Sequence, residues 1–173
     1  GGVAMGDTWT WDGTTWRERR PPNNAPPRMA AVMAYDAAHG YVLMFGGKGD
    51  GAVLQDTWPW DGTTWQERSP KTLPAPRESH AMSYSPELGS VVLFGGNGEG
   101  APLSDTWRWD GADWVPISRT AKPVPRGFAG FASHASTKRL VLYGGVGDNL
   151  NRKVLRNPWF FYARGGACTT GAD

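Results

Sequence analysis

Set out in rows of 49, residues 1–147 repeat one pattern three times without a gap. Asp-Thr-Trp begins at Asp7, Asp56 and Asp105, and Trp-Asp-Gly follows at Trp11, Trp60 and Trp109. Pro-Arg recurs at Pro27-Arg28, Pro76-Arg77 and Pro125-Arg126, and each row closes on an aromatic and two glycines, at Phe45–Gly47, Phe94–Gly96 and Tyr143–Gly145. A period near fifty residues points to an array of small supersecondary units, none able to bury its apolar face without its neighbours.

The ten tryptophans all fall in register with this period. Trp9, Trp58, Trp107 and Trp159 hold one column, Trp11, Trp60 and Trp109 the next, and Trp16, Trp65 and Trp114 the third. An indole buries a large apolar area yet keeps an N–H that needs an acceptor, which suits a ring wedged between neighbouring sheets. Recurrence in every unit is what packing demands and a single ligand site does not, so the columns read as structure.

Each row carries four short strand signals and no helical periodicity, so the fold class is all-β. In the second row the first strand is expected from Arg77 to Tyr84, followed by a turn at Ser85–Gly89. The second, Ser90–Phe94, carries the unbroken apolar run Val91–Phe94, the mark of a strand covered on both faces. Gly95 and Gly96 are expected to end it, supplying positive φ or a close backbone approach that a Cβ would block. The third strand, Asp105 to Trp109, places Trp107 and Trp109 on one face by period two. Asp110-Gly111 makes a hairpin turn, Trp114 opens the fourth strand, and a Pro-rich linker leads to the next unit.

Four antiparallel strands, with Gly-Gly after the second and Trp in the third, resemble the kelch repeat. The resemblance rests on the glycine pairs Gly46-Gly47, Gly95-Gly96 and Gly144-Gly145, on Tyr35 and Tyr84, and on Trp9, Trp58, Trp107 and Trp159. It implies β-propeller blades. The wording D-T-W-x-W-D-G-x-x-W is similar to a variety found in large secreted bacterial proteins. It implies no one function, because propellers host enzymes, adhesins and scaffolds alike.

The repeat region spans residues 1–164, with blade parts at 7–19, 28–68, 77–118 and 126–162. That is about three to three and a half blades, where propellers usually have about four to eight. Three arrangements fit: part of a larger ring, two copies completing one ring, or a small closed ring in which 7–19 pairs with 126–145. The chain starts without Met and inside a loop of the repeat, so it reads as a mature or excised piece of something longer. Its single cysteine, Cys168, lies in the tail 165–173, which resembles the opening of cysteine-rich modules of exported bacterial proteins. That resemblance implies a disulfide partner beyond residue 173 and an oxidising compartment, secreted or at the cell surface; the alternative is a solvated tail with an incidental thiol.

A net charge of +2, spread evenly, gives no basic stripe, so nucleic acid is not an expected partner. The longest apolar runs are strand-sized, so no membrane span is expected. Antiparallel alternation gathers the loops after the second strands and the linkers after the fourth at one mouth. Arg28, Arg77 and Arg126 belong there, as do Asp50, Glu99 and Asp148. They offer forked donors and acids to a ligand, or else each arginine bonds an acid or carbonyl of the next blade. Residues that break the register are the better ligand candidates: Lys48, Asn97, Asn149, Asn151, Arg152 and Lys153.

No catalytic constellation is visible. His80 falls in a first strand, where a packed or hydrogen-bonded role is expected, while His39 and His134 fall at turns on the opposite face. Kelch-type copper oxidases require histidines and tyrosines around copper and a tyrosine-linked cysteine, and here the lone cysteine is in the tail. No phosphate loop follows any Gly-Gly, since no helix does. The expectation is therefore a non-catalytic binding module without metal or cofactor, engaging a protein or glycan at the mouth. The alternative is a supporting propeller domain of an extracellular oxidase or glycan-active enzyme whose catalytic residues lie elsewhere.

Overall fold

A computed structural model describes residues 3–147 and 158–161, together with the backbone of 169–170. Its secondary structure consists of β-strands in four antiparallel sheets. The first sheet pairs β1 (Thr8–Trp11) with β2 (Trp16–Arg19). The second is β3 (Val32–Asp36), β4 (Tyr41–Lys48) and β5 (Val53–Trp60), with a fourth strand reduced to bridges from Thr57 to Arg68 and from Trp60 to Trp65. The third is complete: β6 (Ala81–Ser85), β7 (Ser90–Asn97), β8 (Pro102–Trp109) and β9 (Trp114–Pro116). The fourth is β10 (Gly130–His134), β11 (Arg139–Tyr143), β12 (Trp159–Phe161) and β13 (Thr169–Thr170). These are the blades the repeat implies, in the expected order.

Two boundaries differ from expectation, for related reasons. The second strand does not stop at the glycines: β7 runs on to Asn97 through a bulge, its register against β8 shifting between Phe94 and Gly96. Gly95 and Gly96 have φ of +60° and +103°, and a Cβ on Gly95 would lie 2.6 Å from the Arg126 carbonyl oxygen. The glycines therefore supply positive φ and a close approach together. The first strand begins late, at Ala81 rather than Arg77. Glu78 bridges Asn97, but Ser79 then turns left-handed with φ +53°, as do Ala30 (+55°) and Phe128 (+58°) at the same place in their units. For residues with a Cβ this conformation is costly and persists only where the surroundings enforce it. Here a ladder between units does so: Ser79 N–H donates to the Ala30 carbonyl at 2.9 Å, and Phe128 N–H to the Ser79 carbonyl at 2.8 Å.

The core lies between sheets rather than within one. Leu43 and Phe45 of β4 pack against Met82, Val91, Leu93, Trp109 and Trp114 of the following unit. The first two joints also take indole donors: Trp109 Nε1 donates to the Tyr41 hydroxyl at 2.8 Å, Trp114 Nε1 to Thr57 Oγ1 at 3.0 Å, and Trp65 Nε1 to Thr8 Oγ1 at 2.9 Å. The wedged tryptophan expected from the sequence thus joins neighbouring units with its N–H satisfied.

The small closed ring is not formed. The edge of β11 that would have met residues 7–19 is occupied by β12, through Leu140–Phe161, Val141–Phe160 and Leu142–Trp159. The ring is open, and the outer edge of β1 has no strand partner among the described residues. Thr169 and Thr170, read as tail, pair with Phe160 and Trp159 and extend the last sheet.

Candidate functional site

The antiparallel order brings the loops after the second strands and the segments before the first strands to one end. The repeated charges there are turned inward. Arg77 has no exposed surface. Its guanidinium forks onto Asp105 with two 2.7 Å bonds, and also donates to the Gly95 carbonyl at 2.9 Å and the Ala75 carbonyl at 3.0 Å. Arg28 repeats this with Asp56, at 2.7 and 2.8 Å, and with the Gly46 and Pro26 carbonyls, both at 3.0 Å. The same acids accept the Trp58 and Trp107 indole N–H, each at 2.6 Å. Burial works to raise the Asp56 and Asp105 carboxyls. The arginine bonds and charge, with the indole bonds, outweigh it and hold both below the usual carboxylate range.

In each of these arginines four of the five guanidinium N–H groups are already spent within the unit, and the face that would fork onto a ligand carboxylate is held by the aspartate. Their side chains do not cross to the next unit: both acids belong to the arginine's own unit. It is the backbone that crosses. Arg77 N–H donates to the Leu54 carbonyl at 3.0 Å and its carbonyl accepts Gly47 N–H at 2.9 Å; Arg126 does the same with Leu103 and Gly96, at 3.1 and 2.8 Å. One residue thus pins its own third strand by its side chain and the preceding unit by its backbone. Arg126 is also buried and donates to the Gly144 and Val124 carbonyls, at 2.8 and 3.2 Å. Its unit reads Asn157-Pro158-Trp159 where the others read Asp-Thr-Trp.

The polar residues after the second strands, the repeated acids Asp50 and Glu99 and the register-breaking Lys48 and Asn97, face solvent more freely. Lys48, Asp50 and Glu99 are exposed, and Asn97 is half-buried with its amide over Gly127, where a Cβ would come 2.8 Å from Oδ1. The loops are tight: Gly49 N–H donates to Ala52 and Gly98 N–H to Ala101, each at 3.0 Å. Four polar side chains are therefore held at the ends of rigid strands, close to Met29 and Glu78, which bridge Lys48 and Asn97. Asp148, Asn149, Asn151, Arg152, Lys153 and Cys168 lie outside the described residues.

The histidines do not converge. His39 Nδ1 meets Asp36 at 2.9 Å in the turn after β3, and His134 Nδ1 meets Thr137 at 3.0 Å in the turn after β10. His80 is buried with neither ring nitrogen hydrogen-bonded, its ring edge-on to Phe45 at 5.7 Å. Burial first, and the Arg77 charge second, push it down to about 3, so it is neutral and packed. No group of three His, Cys, Asp or Glu side chains among the described residues is placed to hold a metal ion. No helix among them is long and apolar enough to cross a membrane.

Residues 5–164 match the profile of the KLHDC2/KLHL20/DRC7 Kelch-repeats domain. The chain belongs to the kelch-repeat family. No curated protein matches it in sequence. Kelch repeat domains generally mediate protein interaction and are typically non-catalytic. In the two full kelch units arginine, acid, indole and the carbonyl of the first glycine form one clamp each. What the sequence concealed was the left-handed residue. Kelch units here place Ala30, Ser79 or Phe128 in that position, and three such different side chains leave no motif.

Proposed function

We propose that this kelch array is a non-catalytic interaction module that binds a protein ligand through the loops following its second strands. The observation that supports this reading is a division of labour among polar groups. The repeated arginines of the two full units are spent inside the scaffold, Arg28 and Arg77 on Asp56 and Asp105. Lys48, Asp50 and Glu99 stand exposed on the loop end, and Asn97 beside them. Loops held on rigid strands are where recognition is usually placed. Charged side chains of both signs suit a peptide carrying both better than a uniformly charged polymer. On sequence alone, the proposal extends to Asn149, Asn151, Arg152 and Lys153, which like Lys48 and Asn97 depart from the repeat. An exported setting, secreted or at the cell surface, is part of the proposal; it rests on the D-T-W-x-W-D-G wording and on the tail around Cys168.

The test is selection of displayed peptides against the immobilised chain, in parallel with a glycan array. Peptides should be enriched whose binding falls at least about tenfold in Asp50→Lys/Glu99→Lys, with the melting temperature unchanged. Enrichment only on the glycan array, or peptide binding indifferent to these loops, would refute the reading.

A further inference from the structure

The fourth unit keeps the donors of the clamp and changes its acid. Arg126 donates from Nη1 to the Gly144 carbonyl and from Nε to the Val124 carbonyl, the bonds that Arg28 makes to Gly46 and Pro26 and Arg77 makes to Gly95 and Ala75. Trp159 pairs with Leu142 across the sheet, as Trp58 pairs with Met44 and Trp107 with Leu93. It packs with Leu142 and Ala129 as Trp58 packs with Met44 and Ala31. Guanidinium and tryptophan are therefore placed as in the full units. There the fork and the indole N–H meet on one carboxylate, Asp56 or Asp105, two residues before the tryptophan. Two residues before Trp159 stands Asn157.

A neutral amide does not supply that charge. Arg126 is 2% exposed, and among the described residues it bonds only the two carbonyls, while the Trp159 N–H meets no acid. Burial pushes the Arg126 pKa down, with no opposing charge beside it. A buried guanidinium without a counter-charge is strongly destabilising, so a unit that keeps the arginine and drops the acid is built to take the charge from elsewhere. The acid's side of the clamp is the side that meets solvent. In the full units the Asp56 and Asp105 side chains are 21% and 39% exposed, while their arginines are all but buried. A carboxylate can therefore approach the place of the acid from solution.

We propose that the fourth unit binds a carboxylate from outside the chain, held by the two Nη groups of Arg126 and the indole N–H of Trp159, where Asp56 and Asp105 stand in their own units. The ligand completes the clamp with the charge-assisted fork that the other units make internally. Since the clamps lie at the loop end, the carboxylate is one of the protein ligand's; that source rests on the reading above, whereas the site itself does not.

The first probe is sodium acetate, titrated into the full chain against sodium chloride at equal ionic strength. The indole N–H resonance that Trp159→Phe removes should shift saturably with acetate. The melting temperature should rise by about 3–5 °C at ten times the dissociation constant. Asn157→Asp supplies the acid within the chain: it should raise the melting temperature without acetate and abolish both acetate responses. Equal responses in the two proteins, or a variant no more stable than its parent, would overturn the proposal. The second probe is a peptide enriched on the immobilised chain, compared with its C-terminal amide and with forms in which each Asp or Glu becomes Asn or Gln. One of these changes should weaken binding at least about tenfold, as should Asn157→Asp in the chain, and it shows whether a side chain or the chain end carries the group. Acetate binding with no peptide carboxylate required would overturn the assigned source. Acetate binding with no peptide enriched would support the site while the loop-end reading failed.

Discussion

Residues 7–19 and 105–117 carry nearly the same wording and make nearly the same local structure. Trp11 and Trp16 lie with ring centroids 5.5 Å apart and planes at 45°; Trp109 and Trp114 lie 5.4 Å apart at 54°. Their Asp-Gly turns close alike, Asp12 accepting Thr14 and Thr15 N–H as Asp110 accepts Ala112 and Asp113 N–H. Burial separates them. Trp11 and Trp16 are 51% and 64% exposed, Trp109 and Trp114 not at all. The hairpin is a local product of alternation and turn chemistry, whereas the core is a product of the neighbour. Stability should therefore be unevenly distributed over identical words.

The sharpest break would come from Trp114→Ala against Trp16→Ala. Loss of the buried indole, its contact with Phe45 at 5.1 Å and its bond to Thr57 should cost about 3–5 kcal/mol. Loss of the exposed one should cost under about 1 kcal/mol. Denaturant midpoints at constant slope measure both, and equal losses would mean that the half-unit is as firmly packed as the complete one. Asp105→Asn against Asp7→Asn comes next. The first leaves the Arg77 guanidinium enclosed beside a neutral amide, at about 2–3 kcal/mol; the second breaks no arginine pair and should be almost silent.

The same contrast separates what residue types alone dictate from what contacts between units decide. Period, strand order, the Asp-Gly hairpins and the inward indoles are written in residue types whose geometry is local, so the places of Trp109 and Gly96 are legible in the sequence. The fate of Arg77 is not. A Pro-Arg at the expected loop end looks equally suited to a ligand or to a clamp, and only Asp105, 28 residues away, decides it. The late start of β6 is equally hidden, because Ser79 is held left-handed by hydrogen bonds to Ala30 and Phe128 in other units. Of the candidate site, Lys48 and Asn97 are legible from their departure from the register, whereas the exposure of Asp50 and Glu99, which repeat just as Arg28 and Arg77 do, is not.

His80 distinguishes unit 77–118 from its neighbours in another way, since Ala31 and Ala129 stand at its position. Its folded-state pKa, about 3, lies below the ordinary 6.5, so the unfolded chain binds the proton first. Stability is then greatest above pH 6.5 and falls as pH drops toward 3, by up to about 1.4 kcal/mol per unit. Between pH 6.5 and 5 the loss should be roughly 1.5 kcal/mol, read from denaturant midpoints. Asp56 and Asp105 have the opposite acid–base type but the same sign: depressed in the fold, they add a further loss only below about pH 4. His80→Ala should lower stability at every pH through the cavity it leaves, and flatten the profile above pH 4. A slope that survived would assign the effect to another group.

The smallest effect should come from the turns. In Asp12→Asn and Asp110→Asn the side-chain oxygen can still accept the two backbone N–H groups of its turn; Asp12→Asn also loses the exposed Arg17 pair and the Thr15 hydroxyl bond at its second oxygen, each at 3.0 Å. Hydrogen bonds within the turn hold both carboxyls below the usual range, backbone N–H first in each case. The melting temperature should therefore fall slightly, and no more for Asp110→Asn than for Asp12→Asn, whose extra contacts are exposed and weak. A larger fall at Asp110 would show that the turn depends on the units around it. That would extend to hairpin closure the dependence on neighbours now assigned to burial alone. A fall at Asp110 no larger than at Asp12 would keep hairpin closure local and leave the difference between the two regions to burial.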